Sequence, residues 1–171
     1  MAETRNRKIH FINITGTAES PVWTQINKGF TAFTGNLNPE SESSQYIGEQ
    51  NATESVKKYS ASYAYTYRLE TESNGTLNAV VQKFYDIAKN QELNKKFDIL
   101  TVYLFDVDSV SGNPKAMRGT FNVVPETDGD SEPGEYLEGT GTLNQEGSLV
   151  KGTYNVSTGV FTPDDTEESE S

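Results

Sequence analysis

The stretch from Tyr59 to Glu70 constrains this chain more than any other. Tyr59, Ala61, Tyr63, Tyr65, Tyr67 and Leu69 take one set of alternate positions. Ser60, Ser62, Thr66, Arg68 and Glu70 take most of the other, and Ala64 is the interruption. A period of two marks a strand whose side chains alternate between faces. Sustained this long, it predicts an antiparallel strand with one buried face and one wet face. Burying a large side chain is worth roughly 1.5–3 kcal/mol, so the Tyr face needs a cover. Two readings of that face stand: packing into a core, or a subunit or carbohydrate contact, since Tyr suits half-wet surfaces.

The remaining periodic segments predict a mainly β chain with one helix. Strands are expected at Lys8 to Ile14 and over Val22 to Phe33, the latter with Trp23, Ile26, Phe30 and Phe33 and a bulge at Gly29. Residues 35–57 read as a long loop in which Tyr46 and Ile47, and then Ala52 and Val56, are the apolar members. A loop of this length inside a domain is usually functional or disordered, and the Tyr46-Ile47 pair favours docking. Leu77, Val80, Val81, Phe84, Ile87 and Ala88 recur at helical spacing, so residues 77–90 form a helix with Thr76 as its N-cap. Phe97 to Val107 is apolar on both faces and predicts an interior strand. A strand from Ala116 to Val124 follows, and Pro125 stops its ladder. Glu135 to Asn144 and Ser148 to Val156 read as a hairpin around Gln145-Glu146-Gly147. Residues 1–161 are expected to form a single domain with residues 1–7 as an arm, and residues 162–171 an acidic, disordered tail.

Charge is unevenly placed. Residues 1–125 hold 13 basic and 13 acidic residues, whereas residues 126–171 hold Lys151 and 12 acids, which accounts for the net charge of −11. An acidic tail keeps an assembly soluble and repels polyanions, the opposite of a nucleic-acid grip. No apolar run approaches the length of a membrane helix, and no apolar segment follows Arg5, Arg7 and Lys8, so neither a membrane span nor a secretory signal is expected. The chain has no cysteine, which excludes disulfides and thiolate metal sites. His10 is the one histidine and falls inside a strand, where a half-exposed structural role outweighs catalysis. Asp106 and Asp108 alternate at a strand end, but two carboxylates without further oxygen ligands are weak evidence for a metal. No phosphate loop or Gly-x-Ser-x-Gly motif occurs, and an enzyme is not expected.

Several short motifs follow one another in a distinctive order. Trp23-x-x-Ile26-x-x-Gly29 precedes Leu37-Asn38-Pro39-Glu40 and Gln45-Tyr46-Ile47. The alternating strand emerges from Val56-Lys-Lys-Tyr59, and a helix follows. Ala116-Met117-Arg118 opens a late strand, and Gly141-Thr-Leu143 leads to Gly147-Ser-Leu-Val150-Lys-Gly152-Thr153. In this combination, over residues 8–161, the chain resembles the major tail tube proteins of long-tailed, siphovirus-type bacteriophages.

The resemblance implies a phage tail tube fold: an antiparallel β-sandwich or partly open barrel, one flanking helix, a long loop between strands 2 and 3, and extended termini. It implies a structural virion protein, made in the host cytoplasm, that self-assembles into stacked hexameric rings and forms the conduit for DNA ejection. The implied partners are further copies of the chain, a tape measure protein, and terminator and distal tail proteins at the ends. Double-stranded DNA would pass without specific binding, and no cofactor or membrane is implied. Leu37, Asn38, Pro39, Tyr46 and Ile47 would belong to an assembly loop, and Ser60, Ser62, Thr66, Arg68 and Glu70 would face the lumen. The sheathed tubes of contractile tails share the fold and stay open as a variant. The alternative from another class is a β-sandwich binding or adhesion module on a virion or cell surface.

Overall fold

In the computed structural model, which describes residues 7–48, 50–129 and 131–164, alternating apolar residues give strands in chain order. β1 (Lys8–Asn13) is followed by the short β2 (Trp23–Gln25) and by β3 (Phe30–Asn36). The single strand expected over Val22 to Phe33 is therefore two, split where Gly29 takes a φ of +81°. β4 (Pro39–Ser44) and β5 (Thr53–Tyr59) pair with each other, and β6 (Ser62–Arg68) carries the Tyr period. Then come α1 (Ala79–Lys89), β7 (Lys96–Val107), β8 (Pro114–Pro125), β9 (Glu138–Asn155) and β10 (Val160–Pro163).

The main sheet runs β2-β1-β7-β8-β9-β6-β3, antiparallel at every pair, with β10 beside the second half of β9. It curls into an open half-barrel. His10 on β1 and Phe33 on β3 meet across the open seam, with ring centroids 4.8 Å apart. The interior is filled from the strands by Ile12, Phe33, Tyr65, Tyr67, Ile99, Phe121, Val123 and Leu143. The helix adds Val80, Val81, Phe84 and Ile87 to the same cluster, the stripe its spacing predicted. Phe84 stacks on Tyr65 at 4.9 Å, so the Tyr strand is covered by a helix of its own chain. The helix cap is Asn78 rather than Thr76: Asn78 Oδ1 accepts from the Val80 N–H at 3.0 Å, while Thr76 is engaged by Asn74. β7 is apolar on both faces because a second cluster lies behind the sheet. Leu100, Val102, Ala116 and Tyr154 form it, with Phe11, Trp23 and Phe161 packed against them.

The hairpin expected around Gln145-Glu146-Gly147 is absent, and β9 runs through as one strand of 18 residues. Arg118 is opposite Val150 and Thr120 opposite Glu146, so residues 147–149 bulge out against Gly119 alone. Gly147 spends its positive φ of +71° on this bulge instead of on a reversal. The Leu149 side chain fills the space that a Cβ on Gly119 would need. The shift is even, which keeps both halves of β9 on their proper faces.

Candidate functional site

Two surfaces stand out, and the first is the segment expected to be a loop. Residues 39–59 form a two-stranded hairpin apart from the main sheet, with register from Pro39↔Tyr59 to Ser44↔Thr53. Every residue of β4 and β5 is exposed. Its strands escape sequence reading because Ser, Glu and Lys occupy both parities, leaving no apolar period. Backbone pairing and cross-strand charges hold it instead: Lys57 to Glu42 at 3.1 Å and Lys58 to Glu40 at 3.4 Å. The root is fixed by Asn38, which has φ +45° and whose amide donates to the Ser60 carbonyl (3.0 Å) and Ser62 Oγ (2.8 Å). Tyr46 and Ile47 lie between the two strands, at 72% and 108% exposure, and Leu37 at the root is exposed as well. Thus Leu37, Asn38, Pro39, Tyr46 and Ile47 do belong to one projecting arm. Tyr59 belongs to it too, 58% exposed, and is not on the buried Tyr face as expected. The long strand breaks at Ser60 and Ala61, where the Ser60 N–H bonds back to the Leu37 carbonyl at 3.2 Å. A cavity of about 390 Å³ opens beside this root, walled by Tyr63, Ile99, Tyr103, Phe121 and Leu149.

The second surface is the face of β6 turned away from the Tyr rings. Ser62, Ala64, Thr66 and Arg68 pair there with Asn144, Thr142, Thr140 and Glu138 of β9. Asn36, Thr34 and Ala32 of β3 extend it on one side, Asn122 and Thr120 of β8 on the other. Of the lumen candidates, Ser62, Thr66 and Arg68 share this face, while Ser60 sits in the arm's root and exposed Glu70 lies past the strand end. Arg68 pairs with Glu138 at 3.0 Å and lies 4.1 Å over the Tyr136 ring. Lys96 meets Glu146 at 2.8 Å.

The opposite side of β6 shows a device the sequence reading missed. Tyr65 lies opposite Gly141 and Tyr67 opposite Gly139, with the rings reaching across the glycine positions. A Cβ at either glycine would collide with the phenol group. Gly35 of β3 is opposite Tyr63 in the same manner. The signal was present as a Gly-x-Gly run, but its partner lies some seventy residues away. Burial, with Asp128 and Tyr85 nearby, pushes the Tyr67 phenol up to about 12, and burial raises Tyr65 further still. Tyr63 is raised too, again by burial, partly offset by its bond to Thr101.

The titratable residues singled out from sequence sit in structural contacts. His10 Nδ1 is 2.9 Å from Thr101 Oγ1, which lies 2.9 Å from the Tyr63 hydroxyl, tying β1, β7 and β6 together. Asp106 pairs with Lys115 at 3.1 Å. Asp108 accepts the N–H and hydroxyl of Ser111, each at 2.7 Å, which holds its carboxyl below the usual range and closes the β7–β8 turn. Among the described residues no three His, Asp or Glu side chains gather as metal ligands, and no helix is long and apolar enough to cross a membrane. The expectations for residues 1–6 and for the tail from residue 165 lie outside the described residues.

No family profile and no curated protein matches the sequence. Solved structures do match the fold. A chain of the tail of an empty gene transfer agent particle, reconstructed with C6 symmetry, is 14% identical with a TM-score of 0.54, over 86% of this chain and 97% of that one. A chain of the native gene transfer agent virion gives 13% identity and 0.54 over 94% and 99%. A chain of the six-fold symmetrised baseplate of the anti-feeding prophage gives 10% and 0.52 over 88% and 95%. Each match spans nearly all of both chains, so the likeness is to whole subunits and not to a shared motif. The curled antiparallel half-barrel with one packed helix is thus the fold seen in phage-type tail and baseplate subunits.

Proposed function

We propose that the protein is a structural virion protein that assembles into stacked hexameric rings, forming a tail tube through which DNA leaves the particle. The observation that carries this reading is the exposed arm of residues 39–59 on a fold that chains of the gene transfer agent tail and virion match over 86% and 94% of this chain. A two-stranded hairpin is marginally stable by itself in water, and this one leaves Ile47, Val56 and Tyr59 largely exposed. An adjacent subunit supplies a covering layer. Ring closure also pairs off open strand edges, which otherwise invite uncontrolled association. β3 is one such edge of the main sheet. In the ring, the Ser/Thr/Asn face of β6 and β9 turns to the lumen. Hydroxyls and amides there wet the wall without adding the cationic phosphate contacts that would hold a duplex.

The test is the mass of the purified chain across a concentration series by light scattering, with negative-stain images at the upper end. Six-fold rings or tubes are expected. A dispersed monomer at all concentrations would contradict the proposal and favour a binding or adhesion module built on the same half-barrel.

A further inference from the structure

On the polar sheet face Arg68, Lys96 and Arg118 each have a carboxylate of that face against them: Arg68 with Glu138, Lys96 with Glu146, and Arg118 with Asp98. The Arg118 pair is a structural tie. Its side chains are only 22% and 16% exposed, Thr120 also donates to Asp98, and Arg118 lies over the Trp23 ring and donates to the Ala18 carbonyl. The other two pairs are open to solvent, at 32–46% exposure, in a field of Thr, Ser and Asn.

Stability does not account for these open pairs, because exposed ion pairs contribute little and threonine, already frequent on this face, suits a strand as well. Their effect on a polyanion does account for them. A bare Arg or Lys adds a phosphate contact with release of counterions, whereas a bare carboxylate pushes the duplex away. A cation already engaged must give up its partner before it can bind phosphate. We propose that Glu138 and Glu146 are masking carboxylates, which keep Arg68 and Lys96 from gripping the phosphates of a duplex moving along this face. The inference rests on the reading of this face as the wall of a DNA conduit. It commits beyond that reading to two carboxylates and two cations, and to double-stranded DNA as the ligand kept unbound.

The experiment measures binding of a short labelled DNA duplex to the full chain by fluorescence anisotropy at 50 and 200 mM salt. Wild type and the Arg68→Gln/Lys96→Gln variant should bind equally weakly. Glu138→Gln/Glu146→Gln should bind more tightly, with an affinity that falls about tenfold between the two salt concentrations, as expected for two freed phosphate contacts. Adding Arg68→Gln and Lys96→Gln to that variant should abolish the gain. No gain in the Gln variant would overturn the proposal. So would a gain that survives loss of both cations, because that variant has the wild-type net charge and neither cation, and the gain would then owe nothing to Arg68 or Lys96. Should the Gln variant fail to fold, Glu138→Thr/Glu146→Thr keeps strand-forming residues and repeats the test. Rings without the DNA gain would fault masking and leave the tube reading intact. The gain without rings would fault the tube and leave masking as a property of the face.

Discussion

At the scale of single residues, the interlock of Tyr65 and Tyr67 with Gly141 and Gly139 is the sharpest feature of the fold. A methyl group at either glycine has nowhere to go, since the ring against it is itself packed beneath α1. Gly139→Ala and Gly141→Ala should each destabilise the protomer by about 1–3 kcal/mol, as overpacking does, read as a lower midpoint in urea unfolding with an unchanged slope. Gly134→Ala, at a site where a Cβ meets nothing within 4 Å but φ is +90°, serves as a backbone-strain control. The same phenols set an alkaline limit. Their folded pKa values lie above the ordinary 10, so the stabilising protonated form is fully present below pH 10. As pH rises further the unfolded chain ionises first, and stability falls through the window from 10 to about 12 set by Tyr67. The part of the phenolate absorbance that belongs to Tyr63, Tyr65 and Tyr67 should therefore appear together with the loss of far-UV signal. Phenolate appearing fully near pH 10 with the fold intact would contradict this burial. The Tyr period was legible in the sequence because alternation is local. The glycines were not, because their role is set by rings on another strand.

At the scale of elements, legibility followed apolar period. The helix and the doubly apolar β7 could be read directly, each having a face to bury. The arm could not, because its strands bury nothing within their own chain and are held by backbone pairing and the pairs Lys57–Glu42 and Lys58–Glu40. β9 was misread as a hairpin since a positive-φ glycine permits a bulge as readily as a turn, and only the long partner strand β8 decides between them. Removing residues 40–58 and joining Pro39 to Tyr59, which are already cross-strand partners, should leave a folded protomer. Its melting temperature should stay within about 4 °C of wild type, equivalent to at most about 1–2 kcal/mol for a chain of this size, while rings or tubes disappear. Tyr46→Ser/Ile47→Ser should weaken assembly in the same direction with even less effect on melting. Normal tubes from the shortened chain would show that the arm is dispensable.

At the scale of the whole molecule, charge and shape point the same way. A net charge of −11, with Arg68 and Lys96 of the polar sheet face held by Glu138 and Glu146, suits the proposed passage of a polyanion without a grip on it. The N-terminal arm, residues 1–7, is expected to meet an adjacent subunit in the proposed tube, with Arg7 anchored to its own chain through the Leu104 carbonyl. Its truncation should lower assembly more than thermal stability, since exposed pairs set register but add little energy. A helical reconstruction of the assembled protein by electron microscopy would show how the protomer is oriented in the proposed six-fold tube. Hexameric rings are expected, with Ser62, Thr66 and Thr140 facing the lumen and the arm of residues 39–59 against an adjacent subunit. Tubes with that sheet face turned outward, or with the arm free in solvent, would contradict the proposal.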